Sequence, residues 1–285
     1  MFRNAPLAKY TSFRIGGPAD LLVIPCDEAD LQAVIELCHA ANHAPLIIGR
    51  GTNLLVRDKG VPGVVIRLAR PFRRPVRSGT SIDADSGIPL PQLLKFCADQ
   101  SLGGLEFLAG IPGSVGGAVS MNAGAWGSEV GERIGKVEGF SPVGRRRTLG
   151  KEALRISYRG IALPRGFVIT RVTFALRAEK EGRVRARMEG FLERRKRNQP
   201  LSGLSAGCVF KNPRGEKAGR LIEECGLKGL RVGDAQVSTK HANFIINRGN
   251  ASAGEVLSLA RTVARTIERK TGIRLEREIQ VVGKG

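Results

Sequence analysis

Hydrophobic positions in the first quarter of the chain alternate between strand-like and helix-like spacing. Short apolar runs at 20–25, 44–49 and 64–68 predict three buried strands. Between the first two runs, residues 28–41 place apolar side chains on one face of a helix, and Asp27 stands where an N-cap is expected. This alternation of strands with a helix predicts an α/β layer.

Beyond residue 80 the pattern predicts four helices and several short strands. The strands fall within 131–177 and, last in the chain, at 275–283. Ser252 and Glu255 form a capping box that begins the fourth helix, and Gly226 ends the third. The predicted helices cover residues 89–100, 183–197, 216–226 and 253 to about 270.

The composition is that of an ordinary globular chain, with 42% hydrophobic and 25% charged residues among 285. No apolar run approaches the roughly 20 residues of a membrane span, and the first residues lack the apolar core of a signal peptide. The cysteines are scattered and form no CxxC pair, which argues against a disulfide framework and a zinc ribbon. We therefore expect a cytoplasmic protein without a metal site; the five cysteines are Cys26, Cys38, Cys97, Cys208 and Cys225.

The charge balance is strongly basic, with a formal net charge of +20 at pH 7. A positive field attracts nucleic acid, anionic membrane surfaces or phosphorylated small molecules. Basic runs occur at 70–77, 144–147 and 193–197, but aromatic residues make up only 5% of the chain and offer little for base stacking. We interpret the runs as solvated surface and predict no specific nucleic-acid partner; a basic nucleic-acid-binding protein is kept as an alternative.

Two glycine-rich segments are candidates for binding an anion. In GRGTN, residues 49–53, two glycines allow backbone N–H groups to converge, but the segment lacks the GxGxxG dinucleotide pattern and by itself favours a tight hairpin turn. Residues 110–117 hold four glycines with a proline and a serine, which is more than a turn needs. Two such segments suit a pyrophosphate, so the sequence predicts a nucleotide cofactor.

Six motifs, taken together and in order, closely resemble those of the UDP-N-acetylenolpyruvoylglucosamine reductase family, flavoenzymes that make UDP-N-acetylmuramate for bacterial peptidoglycan. The resemblance extends over residues 11–283, and the combination of IPGSVGGA with GCVFKNP is highly specific to the family. The motifs are GRGTNLLV, GLEFLAGIPGSVGGAVSMNAGAWG, SYR, QPLSGLSAGCVFKNP, AGRLIEECGLKGLRVGDAQVSTKHANFIIN and LEREIQVVG.

The resemblance implies an α+β fold of the FAD-binding vanillyl-alcohol-oxidase (PCMH) type, with two subdomains and an inserted α/β substrate-binding domain. The run rich in Arg, Pro and Gly at 70–80 suggests the first joint. Because residues 164–177 leave no room for an extra tyrosine-bearing loop, the chain resembles the shorter subtype of the family. Separately, we expect the protein to be a monomer. The assigned parts are 1–76 and 77–198 for the FAD-binding subdomains, 199–270 for the substrate-binding domain, and 271–285 for a strand returning near the active site.

The implied cofactors are bound FAD and, as co-substrate, NADPH. In the family reaction NADPH gives hydride to FAD and leaves, and UDP-N-acetylglucosamine enolpyruvate then receives hydride from flavin N5 on its enolpyruvyl methylene carbon. The positions that match the family's cofactor loops are Gly49, Arg50, Gly51, Thr52, Asn53 and Leu54, together with Ile111, Pro112, Gly113, Ser114, Gly116 and Gly117.

Three residues match the family's catalytic positions. Arg159 matches the arginine that grips and polarises the substrate carboxylate, a task suited to a planar, permanently charged guanidinium. Glu278 matches the second electrostatic or acid group of the family. Glu276 lies two residues earlier and would share the same strand face, so Glu278 is chosen over Glu276 only because it aligns with the family motif. Cys208 stands where many members carry serine, and an ordinary thiol, with a pKa of about 8.5, can protonate the developing carbanion as a general acid.

From the residues alone, these three positions have simpler interpretations: a surface arginine, a strand-edge salt bridge and a packed cysteine.

The resemblance also implies that Tyr158 lines the substrate site. Ile161 and Leu204 depart from the family pattern, where serine and proline are common. The positions that resemble contacts to the UDP sugar or its phosphates are Lys211, Asn212, Lys228 and His241, the last of which is equally consistent with a hydrogen-bonded surface histidine.

A second enzyme class is also open. Another FAD-dependent oxidoreductase of the same fold, using oxygen in place of an enol ether, would share the cofactor loops. The GCVFKNP segment at 207–213 argues against it.

Overall fold

The computed structural model describes residues 1–285 and contains six α-helices. None of them combines the length and apolar character needed to cross a bilayer. The helices are α1 (Glu28–Ala40), α2 (Leu90–Asp99), α3 (Val115–Ser120), α4 (Arg183–Asn198), α5 (Ala218–Glu224) and α6 (Ala253–Thr271). Single turns of 3-10 helix lie at Leu7–Tyr10, Glu106–Leu108, Val130–Arg133 and Lys151–Ala153.

The strands are short, the longest having eight residues. They are β1 (Phe2–Pro6), β2 (Pro18–Val23), β3 (Leu46–Ile48), β4 (Leu54–Val56), β5 (Val61–Arg67), β6 (Val76–Ser78), β7 (Ser81–Asp85), β8 (Leu102–Gly103), β9 (Gly124–Ala125), β10 (Ser128–Glu129), β11 (Ile134–Phe140), β12 (Arg146–Gly150), β13 (Arg155–Ser157), β14 (Gly160–Ala162), β15 (Val168–Ala175), β16 (Arg177–Ala178), β17 (Arg231–Val232), β18 (Ala235–Val237), β19 (Ile245–Asn247) and β20 (Gln280–Val282).

The predicted helix ends are confirmed where a local signal sets them. The Asp27 side chain accepts a hydrogen bond from the Asp30 N–H at the start of α1. Ser252 and Glu255 form the reciprocal capping box of α6. Gly226, just beyond α5, has φ +73°, a conformation that glycine adopts without strain.

Two predictions about strands are wrong. The segment 49–53 is not a hairpin turn, because β3 pairs in parallel with β5 and β4 pairs in parallel with β20. The last strand covers only β20 and not the predicted 275–283. In both cases the partner strand is distant in sequence, so local alternation does not determine the pairing.

The chain folds into two compact units. Unit 1 comprises Met1–Leu22, Gly51–Gly63 and Lys196–Gly285, and unit 2 comprises Val23–Arg50 and Val64–Arg195. The predicted three-part division at residues 76, 198 and 270 follows the family and stays a prediction.

Unit 2 is built around a five-stranded antiparallel sheet in the order β12-β11-β15-β7-β6. Apolar residues of its strands and of α2 and α3 form one core, which includes Ile82, Leu93, Val119, Val172 and Phe174. Each such side chain, when fully buried, stabilises the fold by about 1.5–3 kcal/mol.

Unit 1 places α6 against a small antiparallel sheet in the order β17-β18-β19. The helix buries the side chains of Val256, Leu259, Val263 and Ile267, which recur at helical spacing, in the apolar core of this unit. The apolar face that the helical spacing defines in the sequence is therefore the face that α6 buries in the core.

Two of the basic runs meet a single acidic side chain in unit 2. Glu28, which is buried, forms ion pairs with Arg146 at 2.5 Å and with Arg73 and Arg171 at 3.8 Å each. The side chains of Arg73 and Arg146 remain 60% and 52% exposed, so solvent screens most of their charge.

Candidate active site

Cys208 lies in an extended segment of unit 1 that pairs with the chain just before β19. Cys208 forms an isolated β-bridge with Phe244, and the Val209 N–H donates to the Asn243 carbonyl at 2.8 Å. Gly207 precedes the segment with φ +77°, a conformation that glycine adopts without strain. The Cys208 side chain is half-buried.

The other edge of the same segment pairs with the chain that carries Glu278. The Glu278 N–H donates to the Val209 carbonyl at 2.8 Å. Asn53, in the first glycine-rich segment, donates from Nδ2 to the Glu278 carbonyl at 3.1 Å and accepts from the Gln280 N–H at 2.9 Å. Unit 1 thus brings Cys208, Glu278 and part of a predicted cofactor loop onto neighbouring hydrogen-bonded segments.

The two candidate carboxylates differ in their surroundings. Glu276 is exposed and pairs with the Lys211 ammonium at 2.6 Å, whereas Glu278 is half-buried. Asn212, another predicted substrate contact, accepts a hydrogen bond from the Ala218 N–H at 3.1 Å, at the start of α5. Lys211 and Asn212 therefore already have structural contacts beside any role with a ligand.

His241 and Lys228 lie close together in unit 1. The Lys228 ammonium pairs with Glu223 at 2.5 Å. Burial lowers the pKa of the His241 imidazole, and the positive charge of Lys228 acts in the same direction. The Asn243 N–H donates to His241 Nδ1 at 3.3 Å, so a neutral ring carries its proton on Nε2.

Arg159 occupies the turn of a hairpin in unit 2. The pair Ser157–Gly160 closes a two-residue turn formed by Tyr158 and Arg159. Arg159 has φ +58°, a left-handed conformation that disfavours a side-chain-bearing residue by about 1–2 kcal/mol. Its Nη1 donates to the Gly124 carbonyl at 2.8 Å, and its guanidinium lies over the Tyr158 ring at 5.3 Å.

Asn122 supports this turn and was not identified from the sequence. Its side chain is fully buried; Oδ1 accepts from the Gly131 N–H at 2.8 Å, while Nδ2 donates to the Ser157 carbonyl at 2.8 Å and to Glu129 at 2.6 Å. The signal available in the sequence was an asparagine inside the glycine-rich motif NAGAWG. Its distant partners could be found only from the fold.

The two positions that depart from the family pattern have different surroundings. Ile161 is buried and joins the apolar core of unit 2. Leu204 is partly exposed and forms an isolated β-bridge with Asn247.

The two glycine-rich segments touch within unit 2. A Cβ atom at Gly49 would lie 2.7 Å from Ser114 Oγ, closer than a Cβ carbon approaches any non-bonded atom. Ser114 directly precedes α3, but its hydroxyl does not cap the helix and faces Gly49 instead. Gly116 also leaves no room for a side chain, because a Cβ atom there would lie 2.9 Å from the Ser86 side chain. The Gly116 N–H donates to the Ser86 carbonyl.

Gly51, on the unit 1 side of the first segment, also has no room for a side chain. Its φ is +66°, and a Cβ atom would collide with the Tyr10 carbonyl. The Ser12 N–H donates to the Gly51 carbonyl at 3.2 Å. Gly51 is buried against the Tyr10 backbone, so only glycine fits at this position.

Within unit 2, the Ser114 hydroxyl lies beside Gly49, and a hydroxyl donor suits a phosphate oxygen. Of the other predicted cofactor residues, Arg50, Ile111, Pro112, Gly113 and Gly117 lie in unit 2, and Thr52, Asn53 and Leu54 lie in unit 1. Arg159 belongs to unit 2, while Cys208 and Glu278 belong to unit 1, so the assembly of all three catalytic residues stays a prediction.

Comparison with known proteins gives one consistent result. Residues 199–282 match the sequence model of the UDP-N-acetylenolpyruvoylglucosamine reductase C-terminal domain, and residues 19–150 match that of an FAD binding domain. A UDP-N-acetylenolpyruvoylglucosamine reductase from Geobacter metallireducens is 43% identical over 284 residues, 100% of this chain and 94% of its own length. One from Moorella thermoacetica is 44% identical over 282 residues, 99% and 93% of the two chains.

A solved structure gives the same result. The crystal structure of a UDP-N-acetylenolpyruvylglucosamine reductase from Thermus caldophilus superimposes with a TM-score of 0.82 at 39% identity, covering 96% of each chain. The predicted α+β, FAD-binding fold is confirmed, and the protein is an FAD-dependent oxidoreductase. The chain belongs to the UDP-N-acetylenolpyruvoylglucosamine reductase family.

Proposed function

We propose that the protein reduces UDP-N-acetylglucosamine enolpyruvate to UDP-N-acetylmuramate with NADPH, a step in making peptidoglycan precursors. The observation that carries this proposal is the placement of Cys208 and Glu278 on segments joined through Val209, with Asn53 of the first glycine-rich segment bonded to the Glu278 carbonyl. A proton donor and a carboxylate thus lie beside a loop whose backbone fits the cofactor.

FAD, when bound, supplies the hydride that the enol ether accepts. We assign its phosphates to the two glycine-rich segments, where the Ser114 hydroxyl lies beside Gly49 and no side chain fits at Gly49 or Gly51. Oriented backbone N–H groups suit a pyrophosphate.

Cys208 is assigned as the proton donor. The enol ether double bond gains hydride on its methylene carbon, which leaves negative charge on the neighbouring carbon and its carboxylate. The S–H bond of Cys208 then breaks as a C–H bond forms at that carbon, and the thiolate regains a proton from water. The half-buried position of the side chain supports this role, since the thiol can regain its proton from solvent.

Arg159 and Glu278 are assigned to charge stabilisation. A guanidinium held by the Gly124 carbonyl has its orientation fixed before substrate arrives, which is the condition for strong electrostatic stabilisation. Glu278 is half-buried on the segment beside Cys208. We assign binding of the UDP sugar to Tyr158, Lys211, Asn212, Lys228 and His241.

The direct test is spectroscopic. The purified protein is expected to be yellow with a flavin spectrum, to lose that absorbance when titrated anaerobically with NADPH, and to recover it when UDP-N-acetylglucosamine enolpyruvate is added. A colourless protein that does not rebind FAD would overturn the proposal. Recovery of absorbance with oxygen but not with the enolpyruvyl substrate would favour an oxidase of the same fold.

A smaller prediction concerns the contact between the glycine-rich segments. Gly49→Ala should weaken FAD binding about tenfold, because the new methyl group displaces the Ser114 hydroxyl, and overpacking of this kind costs about 1–3 kcal/mol. Fluorescence titration of the apoprotein with FAD measures the change. Gly190→Ala is the control, since a Cβ there meets nothing within 4 Å. Equal FAD affinity in both variants would contradict the assigned site.

A further inference from the structure

Asn243 holds the segment that carries Cys208 with both of its polar groups. Its side-chain Oδ1 accepts from the Phe210 N–H at 3.0 Å, and its Nδ2 donates to the Phe210 carbonyl at 2.8 Å. Its own backbone carbonyl accepts from the Val209 N–H at 2.8 Å. Asn243 is 3% exposed, so these bonds form away from water.

The side-chain amide therefore occupies the place of a peptide group in a neighbouring strand. A carboxamide is the smallest side chain that offers a donor and an acceptor in the same plane, as a peptide does. Removing either group leaves a buried backbone group of Phe210 unpaired, which is costly in a dry interior. The Asn243 side chain thus continues, at Phe210, the pairing that backbone atoms make at Val209.

The same residue also reaches a predicted substrate contact. The Asn243 N–H donates to His241 Nδ1 at 3.3 Å, two residues back in the chain. This bond comes from the Asn243 backbone, so it places His241 beside the Cys208 segment without depending on the side chain at position 243.

We propose that Asn243 is a positioning residue that sets where the Cys208 thiol lies, and thereby the rate of proton delivery to the substrate. The proposal rests on the proposed function, in which Cys208 is the proton donor. Asn243 does not itself touch the reacting atoms. Its effect passes through the Val209 and Phe210 backbone, one and two residues beyond Cys208 respectively.

The test variant is Asn243→Asp, which keeps the acceptor but loses the donor that faces the Phe210 carbonyl. In stopped-flow experiments on the FAD-loaded enzyme at pH 8, reduction by NADPH should proceed at the wild-type rate. Reoxidation by the enolpyruvyl substrate should slow about 10–100-fold, because misplacement by about 1 Å has effects of this size. Lowering the pH should restore activity relative to wild type, because a protonated carboxyl again donates to the Phe210 carbonyl.

A second readout does not depend on catalysis. Alkylation of Cys208 by iodoacetamide, followed by mass spectrometry with the exposed Cys26 as internal reference, should be at least about threefold faster in Asn243→Asp, because a loosened segment opens more often. If Cys208→Ala reoxidises normally, the proton-donor role fails, yet the alkylation rate still reports whether Asn243 positions the thiol.

Asn247 provides the matched control. It is 4% exposed, donates from Nδ2 to the Phe13 carbonyl at 3.0 Å, and accepts on Oδ1 from the Gly249 and Ala251 N–H groups. Asn247→Asp should lose stability in a similar way without slowing reoxidation selectively. If it slows reoxidation as much as Asn243→Asp does, or if Asn243→Asp leaves both readouts unchanged, the proposal is overturned.

A double variant tests whether Asn243 acts through Cys208. In the Cys208→Ala background, Asn243→Asp should add no further loss to reoxidation, since groups that act as a unit are non-additive. Additive losses would overturn the proposal. Should Asn243→Asp not retain FAD, Asn243→Ser takes its place in the half-reaction, alkylation and double-variant comparisons, because one short hydroxyl cannot bond both backbone groups of Phe210.

Discussion

Cys208→Ala is expected to accept electrons from NADPH at the wild-type rate but to reduce the enolpyruvyl substrate about 10²–10⁴-fold more slowly. The size of the loss is that of removing a general acid, and alanine leaves no proton to transfer. The first half-reaction needs no thiol, so its rate should not change. Anaerobic stopped-flow measurement of the two half-reactions separates them, with each followed by the flavin absorbance.

Two further variants make this prediction specific. Cys208→Ser should retain activity, and the decline of reoxidation at alkaline pH, expected as a thiol loses its proton, should move to higher pH because a hydroxyl stays protonated. Cys97→Ala is the control for a lost cysteine: burial raises the pKa of the Cys97 thiol to about 12, and the side chain packs in the core of unit 2. Equal slowing of both half-reactions in Cys208→Ala would refute the proton-donor role.

The parts of the fold that the sequence predicted correctly depend on local chemistry. The Asp27 cap of α1 and the capping box of α6 involve residues three apart, so their bonds can be inferred from neighbouring letters. Motif resemblance supplied the candidate site residues, because composition and periodicity alone favoured surface and packing interpretations for them.

The parts that the sequence did not predict depend on distant partners. β4 pairs with β20, more than 200 residues away, and no local pattern distinguishes this pairing from a hairpin with β3. The roles of Asn122 and Asn243 could not be predicted for the same reason. An asparagine in a motif has no periodic signature, and its importance comes from carbonyl and N–H partners that only the folded chain brings near.

Arg159→Gly is expected to separate stability from activity. Glycine removes the strain of a left-handed φ of +58°, so we expect the free energy of unfolding to stay within about 1 kcal/mol of wild type despite the lost hydrogen bond to Gly124. Turnover should fall about 10²–10³-fold, because a preoriented charge that stabilises the developing carboxylate charge is gone. Denaturant unfolding and steady-state assays measure the two effects on the same preparation.

The backbone contribution can be isolated with a second glycine variant. Ser101 also has a left-handed φ, +51°, just after α2, and Ser101→Gly should give the same relief of strain with turnover unchanged. Arg159→Lys tests the guanidinium itself: it keeps the charge but loses the planar donor fork, so it should recover only part of the lost turnover. If Arg159→Gly destabilised the protein severely, or kept wild-type turnover, the left-handed turn would serve folding alone. If it is stable and inactive, then a strained backbone is tolerated at this hairpin because it presents a charged side chain to the substrate.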